Sequence, residues 1–445
     1  MLPESRWRRS LDQVDLAVPG VEPGAADREL RPVRADGETQ DIHVESDGGV
    51  DIVDVQRDVV DTDGAHPPSI RRCSLRLGAG TAGKWQPLEV SVERLVPLPT
   101  HPAGLPWPSA AWPTASPPSG WDLEQRVEEM FDARERFGVT HAVAVAHRGC
   151  LVLERYDGTL EHWDRPAEPV GPQTRLMSWS VAKSVLHAAV GILVGQGLVE
   201  LAAPAPVGPW SAPGDPRAAI TVEDLLTMRD GLDWVEDYDL GAERSDVITM
   251  LFGGEAAEGV DDMAAFAADR PLAAEPGTRF AYSSGTSNVV SGVVAALVGR
   301  HQAYLDWLRR SLFRPLGMSS ARPGMDRSGV WAASSYLHAT ARDWLRFGEL
   351  YLRDGVWEDQ RLLPAGWVDH GRRPRSADDH GTWFAAHWWT DRGPLGTFWA
   401  SGFEGQTVTI CPVLDLVVVR FGRTPEGSGA IGEWRRALLS GLAGP

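Results

Sequence analysis

The stretch Ser180-Val181-Ala182-Lys183-Ser184-Val185-Leu186 decides how this chain is read. It holds one of only two lysines among 43 Lys and Arg residues, the other being Lys84. Arg fills nearly every other cationic position, as a compositional bias would produce. A surface cation tolerates that exchange, because charge and reach are similar. A proton-shuttling amine does not, because guanidinium stays protonated at any working pH while a buried amine can lose its proton. Three residues apart on a helix, Ser180 and Lys183 share a face. A free amine, with a pKa of about 10.4, is a poor base while charged. Apolar neighbours disfavour the charge, so this amine can be driven toward neutrality and accept the serine proton. The helix start also presents backbone N–H groups to a developing oxyanion. The bland alternative is an ordinary helix start, with Ser180 as cap and Lys183 in solvent.

Outward from this stretch, Ser180–Val194 is apolar nearly all round and predicts a buried helix. Ahead of it, Trp121–Phe137 reads as an amphipathic helix with Asp122 as its cap. His141–Ala146 and Cys150–Arg155 read as strands joined across Arg148-Gly149, a hairpin signal. Beyond it, Thr221-Val222-Glu223-Asp224 resembles a capping box, with Gly231 ending the helix it opens. Thr286–Val298 and Thr340–Leu352 are further helices. Phe398–Ser401, Thr407–Cys411 and Leu414–Phe421 are strands, and Ile431–Leu442 is a closing helix. This order predicts an α+β fold: an antiparallel sheet flanked by N- and C-terminal helices, plus a mostly helical subdomain.

The domain is expected over residues 105–445. Residues 1–104 are rich in Asp, Arg, Val, Gly and Pro and lack a helical period. They read as an irregular or disordered extension, or as the product of a wrongly chosen start codon, with one strand near Val50–Val60. The formal charge of −18 argues against a nucleic-acid partner. No apolar run is long enough to span a bilayer, and no signal-peptide core is visible. Cys73, Cys150 and Cys411 have neither disulfide-framework nor zinc spacing, so reduced thiols in the cytoplasm are expected. The 12 histidines show no metal-binding spacing, and no metal or other cofactor is implied. Oligomeric state is not legible.

Two further pieces bear on chemistry. Tyr282-Ser283-Ser284 follows the Pro276-Gly277 turn and precedes the helix from Thr286, where a loop can project the Tyr282 and Ser284 hydroxyls into a cleft. Beside an amine, a phenol can act as a phenolate-like base and then as an acid; the alternative is a packing tyrosine with a bonded hydroxyl. Ala400-Ser401-Gly402-Phe403-Glu404-Gly405 ends a strand whose glycine permits close approach. There the Phe403 N–H can pair with that of Ser180 as an oxyanion hole. Asp230, Asp233 and Glu236 form an acidic cluster, either a solvated loop or a recognition site for a substrate amine. Trp179, Trp234, Trp388 and Trp389 are either cleft walls or core.

As an ordered set these pieces resemble the serine β-lactamase and penicillin-binding-protein superfamily, and within it the class C-type branch of esterases and 6-aminohexanoate-dimer hydrolases. The S-x-x-K motif falls on Ser180 and Lys183, the Y-x-N or Y-x-S motif on Tyr282 and Ser284, and the K-T-G position on Ala400-Ser401-Gly402. Leu225-Leu226-Thr227-Met228, Gly231-Leu232-Asp233-Trp234, Glu275-Pro276-Gly277 and Pro315-Leu316-Gly317-Met318 add to it. The resemblance implies a serine hydrolase that cleaves a small-molecule ester or amide through an acyl-enzyme. Ser180, Lys183 and Tyr282 would be catalytic. Ser284, Ser401, Gly402, Trp179, Asp233 and Trp234 would contact substrate. Ala400 stands where β-lactamases carry a carboxylate-binding cation, and Ser284 where many carry Asn, which points away from β-lactams. An acyltransferase on the same site and a silent ligand-binding homologue are the alternatives.

Overall fold

The computed structural model describes residues 40–46, 49–56, 72–77 and 88–89 as backbone, and residues 95–160, 166–239, 242–253, 260–425 and 427–444 in full. The chain divides into two compact units, with the boundary between Leu95 and Val96. In the N-terminal unit, Gln40–Ser46, Gly49–Gln56, Arg72–Leu77 and Leu88–Glu89 form an antiparallel sheet. The expected strand near Val50–Val60 corresponds to the second of these, Gly49–Gln56, and the other three were not foreseen.

In the larger unit, eight antiparallel strands run in the order Ser376–Ala377, Trp383–Phe384, Trp389–Thr390, Phe398–Gly402, Gln406–Cys411, Leu416–Arg423, Val139–His147, Cys150–Tyr156. Segments from the two ends of this unit thus pair within one sheet, Val418 opposite Val145. The predicted hairpin is present, with Arg148 and Gly149 both at positive φ (49° and 75°), the turn whose twist suits paired strands.

Strand alternation sorts the core into two layers. Val143, Val145, Leu416 and Val418 face the terminal helices Leu123–Asp132 and Ala430–Ala443. Ala142, Ala144, Ala146, Val417 and Val419 face the other way, toward helix Ala341–Leu352 and the helical region. Gly348 of that helix lies so close to the sheet that a Cβ would sit 2.4 Å from Val417 Cγ1. At the centre of the helical region, helix Ala182–Gly195 is buried on nearly every side, beside helix Ser284–Val298. No helix among the described residues is long and apolar enough to cross a membrane.

Several local expectations are corrected. Asp122 lies in the left-handed region (φ 46°) and makes no capping bond, and the helix it precedes breaks at Ala133 before Arg134–Phe137. The Thr221–Asp224 capping box is present, but its helix ends at Leu226. Gly231 instead makes a turn at φ 79°, against the Ala274 carbonyl. The domain begins nine residues before the expected Leu105. Arg372 Nη2 donates to the Val96 carbonyl at 2.7 Å, Arg353 Nη1 to that of Thr100 at 3.2 Å, and Leu98 packs on the core.

Candidate active site

Ser180 lies in a 3-10 turn, Trp179–Val181, that runs directly into helix Ala182–Gly195. The preceding strand, Leu176–Met177, is held by Leu337–Ala339, and Ser178 N–H donates to the Leu337 carbonyl at 2.9 Å. Trp179 has φ 44°, a costly left-handed conformation for a bulky residue, immediately before the serine.

One turn on, Lys183 is 2% exposed. Its Nζ donates to Ser180 Oγ at 2.9 Å, Ser284 Oγ at 3.0 Å and the Ser334 carbonyl at 3.0 Å. Three ammonium donors therefore find three neutral acceptors. Burial pushes the amine down to about 8, with Glu236 opposing. Once a proton is lost, the lone pair can accept from the Ser180 hydroxyl.

Glu236 organises the next layer. Oε1 accepts from Ser284 Oγ at 2.5 Å and Tyr238 OH at 3.0 Å; Oε2 accepts from Ser284 N–H at 2.8 Å and Trp234 Nε1 at 2.6 Å. The carboxylate thereby satisfies a free N–H at the start of helix Ser284–Val298, where negative charge is favourable. Its charge reaches Lys183 through one hydroxyl. Asp230 is also inside, accepting from Thr286 Oγ1 at 2.8 Å and Leu232 N–H at 2.9 Å, and burial pushes it up to about 6. Neither residue belongs to a solvated loop. Asp233, expected to meet a substrate amine, is paired with Arg244 at 2.9 Å.

The cleft in front of Ser180, of about 320 Å³, is lined by Tyr238, Tyr282, Trp389, Ser401, Gly402, Phe403 and Glu404, and also by Gly427–Ile431. Lys183 Nζ stands 5.0 Å from the Tyr282 ring centroid. Burial pushes the Tyr282 phenol well up, Glu236 adds to this, and a hydrogen bond with the Ser180 side chain works against it. That favours a neutral phenol over the phenolate-like base the sequence suggested. A Cβ on Gly402 would lie 2.5 Å from the Ser178 carbonyl and 3.2 Å from Ser180 N. The glycine therefore lets the strand end press on the serine turn, bringing Phe403 beside Ser180.

Ser180, Lys183, Tyr282, Phe403, Ser401 and Gly402 are thus gathered as the sequence suggested. Ser284 is fully buried behind Lys183, away from the cleft. Trp234 packs over Gly285, and Trp388 is core while Trp389 faces the cleft. Trp179 meets Phe403 edge-on at 5.5 Å. Ala400 is buried in the core, so no cation heads this strand end.

A family model described as Beta-lactamase matches residues 123–441. The chain belongs to the beta-lactamase family. Within that family it is 26% identical over 317 residues to the 6-aminohexanoate-dimer hydrolase of Paenarthrobacter ureafaciens, covering 68% of this chain and 76% of the relative. Its fold is similar to that of a Bacillus anthracis protein described as a candidate 6-aminohexanoate-dimer hydrolase (TM-score 0.61, 21% identity, 74% of this chain and 86% of the other). It is also similar to a family VIII carboxylesterase (TM-score 0.54, 15% identity, 73% and 99%). This beta-lactamase family member is a serine hydrolase.

Proposed function

We propose that the chain cleaves a small-molecule ester or amide through an acyl-enzyme on Ser180. The observation that carries this is a buried amine, Lys183 Nζ, 2.9 Å from Ser180 Oγ and without a carboxylate in direct contact. In the neutral form Lys183 takes the Ser180 proton as Oγ attacks the carbonyl carbon. The N–H groups of Ser180 and Phe403 meet the oxyanion. Tyr282, kept as a phenol, relays the Ser180 proton from Lys183 to the leaving alcohol or amine. Lys183, neutral again, then takes a proton from the water that attacks the acyl ester and returns it to Ser180 Oγ as the acid leaves. Ser284 and Glu236 hold the amine in place and temper its acidity. The setting we infer is the cytoplasm.

The 6-aminohexanoate-dimer hydrolase relative supports an amide or ester substrate, and Ala400, where a carboxylate-binding cation would stand, argues against β-lactams. Loss of one charge-assisted contact costs about 1.5–3 kcal/mol, roughly ten- to over a hundredfold. A fluorophosphonate should label Ser180, and p-nitrophenyl butyrate should be cleaved that much faster than a chromogenic cephalosporin, as measured by kcat/KM. Labelling elsewhere, or a β-lactam preference, contradicts the reading.

A further inference from the structure

The carboxylates near Ser180 differ in what they have left to offer. Asp233 is paired with Arg244, Glu236 has four donors, and Asp230 is bonded inside the fold. Glu404 stands apart. It lines the Ser180 cleft, and its carboxylate has no ion-pair partner among the described residues. Trp179 Nε1 donates to Oε2 at 3.3 Å. Arg423 and Arg420 carry the nearest cationic influence, but Arg420 Nη1 is engaged with the backbone carbonyls of Glu404 and Gly405 at 3.0 and 3.2 Å.

The residue is held there at a cost. Glu404 has φ 59° and ψ 21°, a left-handed conformation seldom adopted without glycine. Its carbonyl is clamped by Arg420 and by the Thr424 N–H, each at 3.0 Å. Aromatic rings share the cleft: Phe403 stacks on Tyr238 at 5.2 Å, and Tyr282 on Trp389 at 5.7 Å. Aromatic faces attract cations within about 6 Å, most strongly where water is excluded. An unpaired, partly buried carboxylate is costly. A cationic ligand relieves that cost and uses the aromatic walls as well.

We propose that Glu404 is a specificity-determining residue that selects substrates carrying a protonated or quaternary amine within reach of the scissile carbonyl. The inference deepens the ester and amide hydrolase reading and rests on it. It moves amine recognition from Asp233, which is paired, to the opposite end of the motif set. Burial already pushes Glu404 up from the usual carboxylate range, and a bound cation would bring it back down.

Isosteric esters test this. On the acyl side, p-nitrophenyl 4-(trimethylammonio)butyrate is compared with its tert-butyl analogue; on the alcohol side, butyrylcholine with 3,3-dimethylbutyl butyrate. The cationic member of at least one pair should have a kcat/KM higher by roughly tenfold. In Glu404→Gln that ratio should fall severalfold, to what the aromatic walls alone supply, whatever the absolute rates. Ratios near one in both pairs for the parent, or a ratio unchanged by Glu404→Gln, overturn the proposal. Calorimetry of butyltrimethylammonium on the full chain carrying Ser180→Ala gives a readout without turnover. Adding Glu404→Gln removes the carboxylate charge and should weaken binding roughly tenfold, and absent or equal binding overturns it. If no ester is cleaved yet this binding difference holds, the hydrolase reading fails while the cation site stands.

Discussion

Lys183 and Arg353 are both buried cations, 2% and 3% exposed, and they are kept in opposite ways. Arg353 is matched by charge. Nε lies 3.0 Å from Glu349 Oε2, and Nη2 is 2.6 Å from Asp415 Oδ1, a close ion pair without hydrogen-bond alignment. Even so, burial pushes Glu349 up to about 7. Lys183 meets only hydroxyl and carbonyl oxygens, and its nearest carboxylate acts through Ser284. A guanidinium between two carboxylates is anchored charge, whereas an amine among neutral acceptors can give its charge up. A chain that uses Arg almost everywhere keeps Lys where a proton must leave.

The contrast breaks most sharply at Lys183. Lys183→Arg preserves charge and removes the base, and should lower steady-state ester turnover by roughly 10²–10⁴-fold with little change in fold by circular dichroism. Retention of more than about a tenth of the parent rate, against that 10²-fold minimum, would make Lys183 an anchor like Arg353. The converse substitution tests stability. Arg353→Met strands two carboxylates and should cost about 3–5 kcal/mol in denaturant unfolding, while Ser180 in the folded fraction still labels with fluorophosphonate. A smaller effect sharpens the boundary of the domain. A chain starting at Leu105 loses the carbonyls that accept from Arg353 and Arg372. It should be less stable than one starting at Val96 by about 3 kcal/mol, at roughly 1.5 kcal/mol per charged-group bond. Equal stability would mean the arm is not part of the domain.

Much of this was legible because it is local. Ser180 and Lys183 sit one helical turn apart, and Arg148-Gly149 carries the backbone freedom of its own turn. Val143 and Val145 alternate with Ala142, Ala144 and Ala146, so both sheet faces can be read along one strand. What was missed depends on contacts between distant segments. Glu236 meets Ser284 across 48 residues, and nothing near Glu236 distinguishes it from a loop carboxylate. Ser284 fits a motif read as substrate-facing, but the helix start turns its hydroxyl inward to Lys183. Val96–Gly104 belongs to the domain through backbone carbonyls, which any sequence supplies, so it reads as part of the irregular extension over residues 1–104. The positive φ at Glu404, a residue with no intrinsic preference for it, was equally invisible.

The most direct test of Lys183 as the base is the pH dependence of single-turnover acylation of Ser180 by an aryl ester. The folded amine is lowered to about 8 from its ordinary value, so it is protonated below that pH and free above it. The acylation rate should rise about tenfold per pH unit up to about 8, the value for Lys183, and then level off. Glu236 favours the charged amine, so Glu236→Gln should move the break to lower pH. A rate flat across that range, or a break unmoved in Glu236→Gln and retained in Lys183→Arg, would contradict the account.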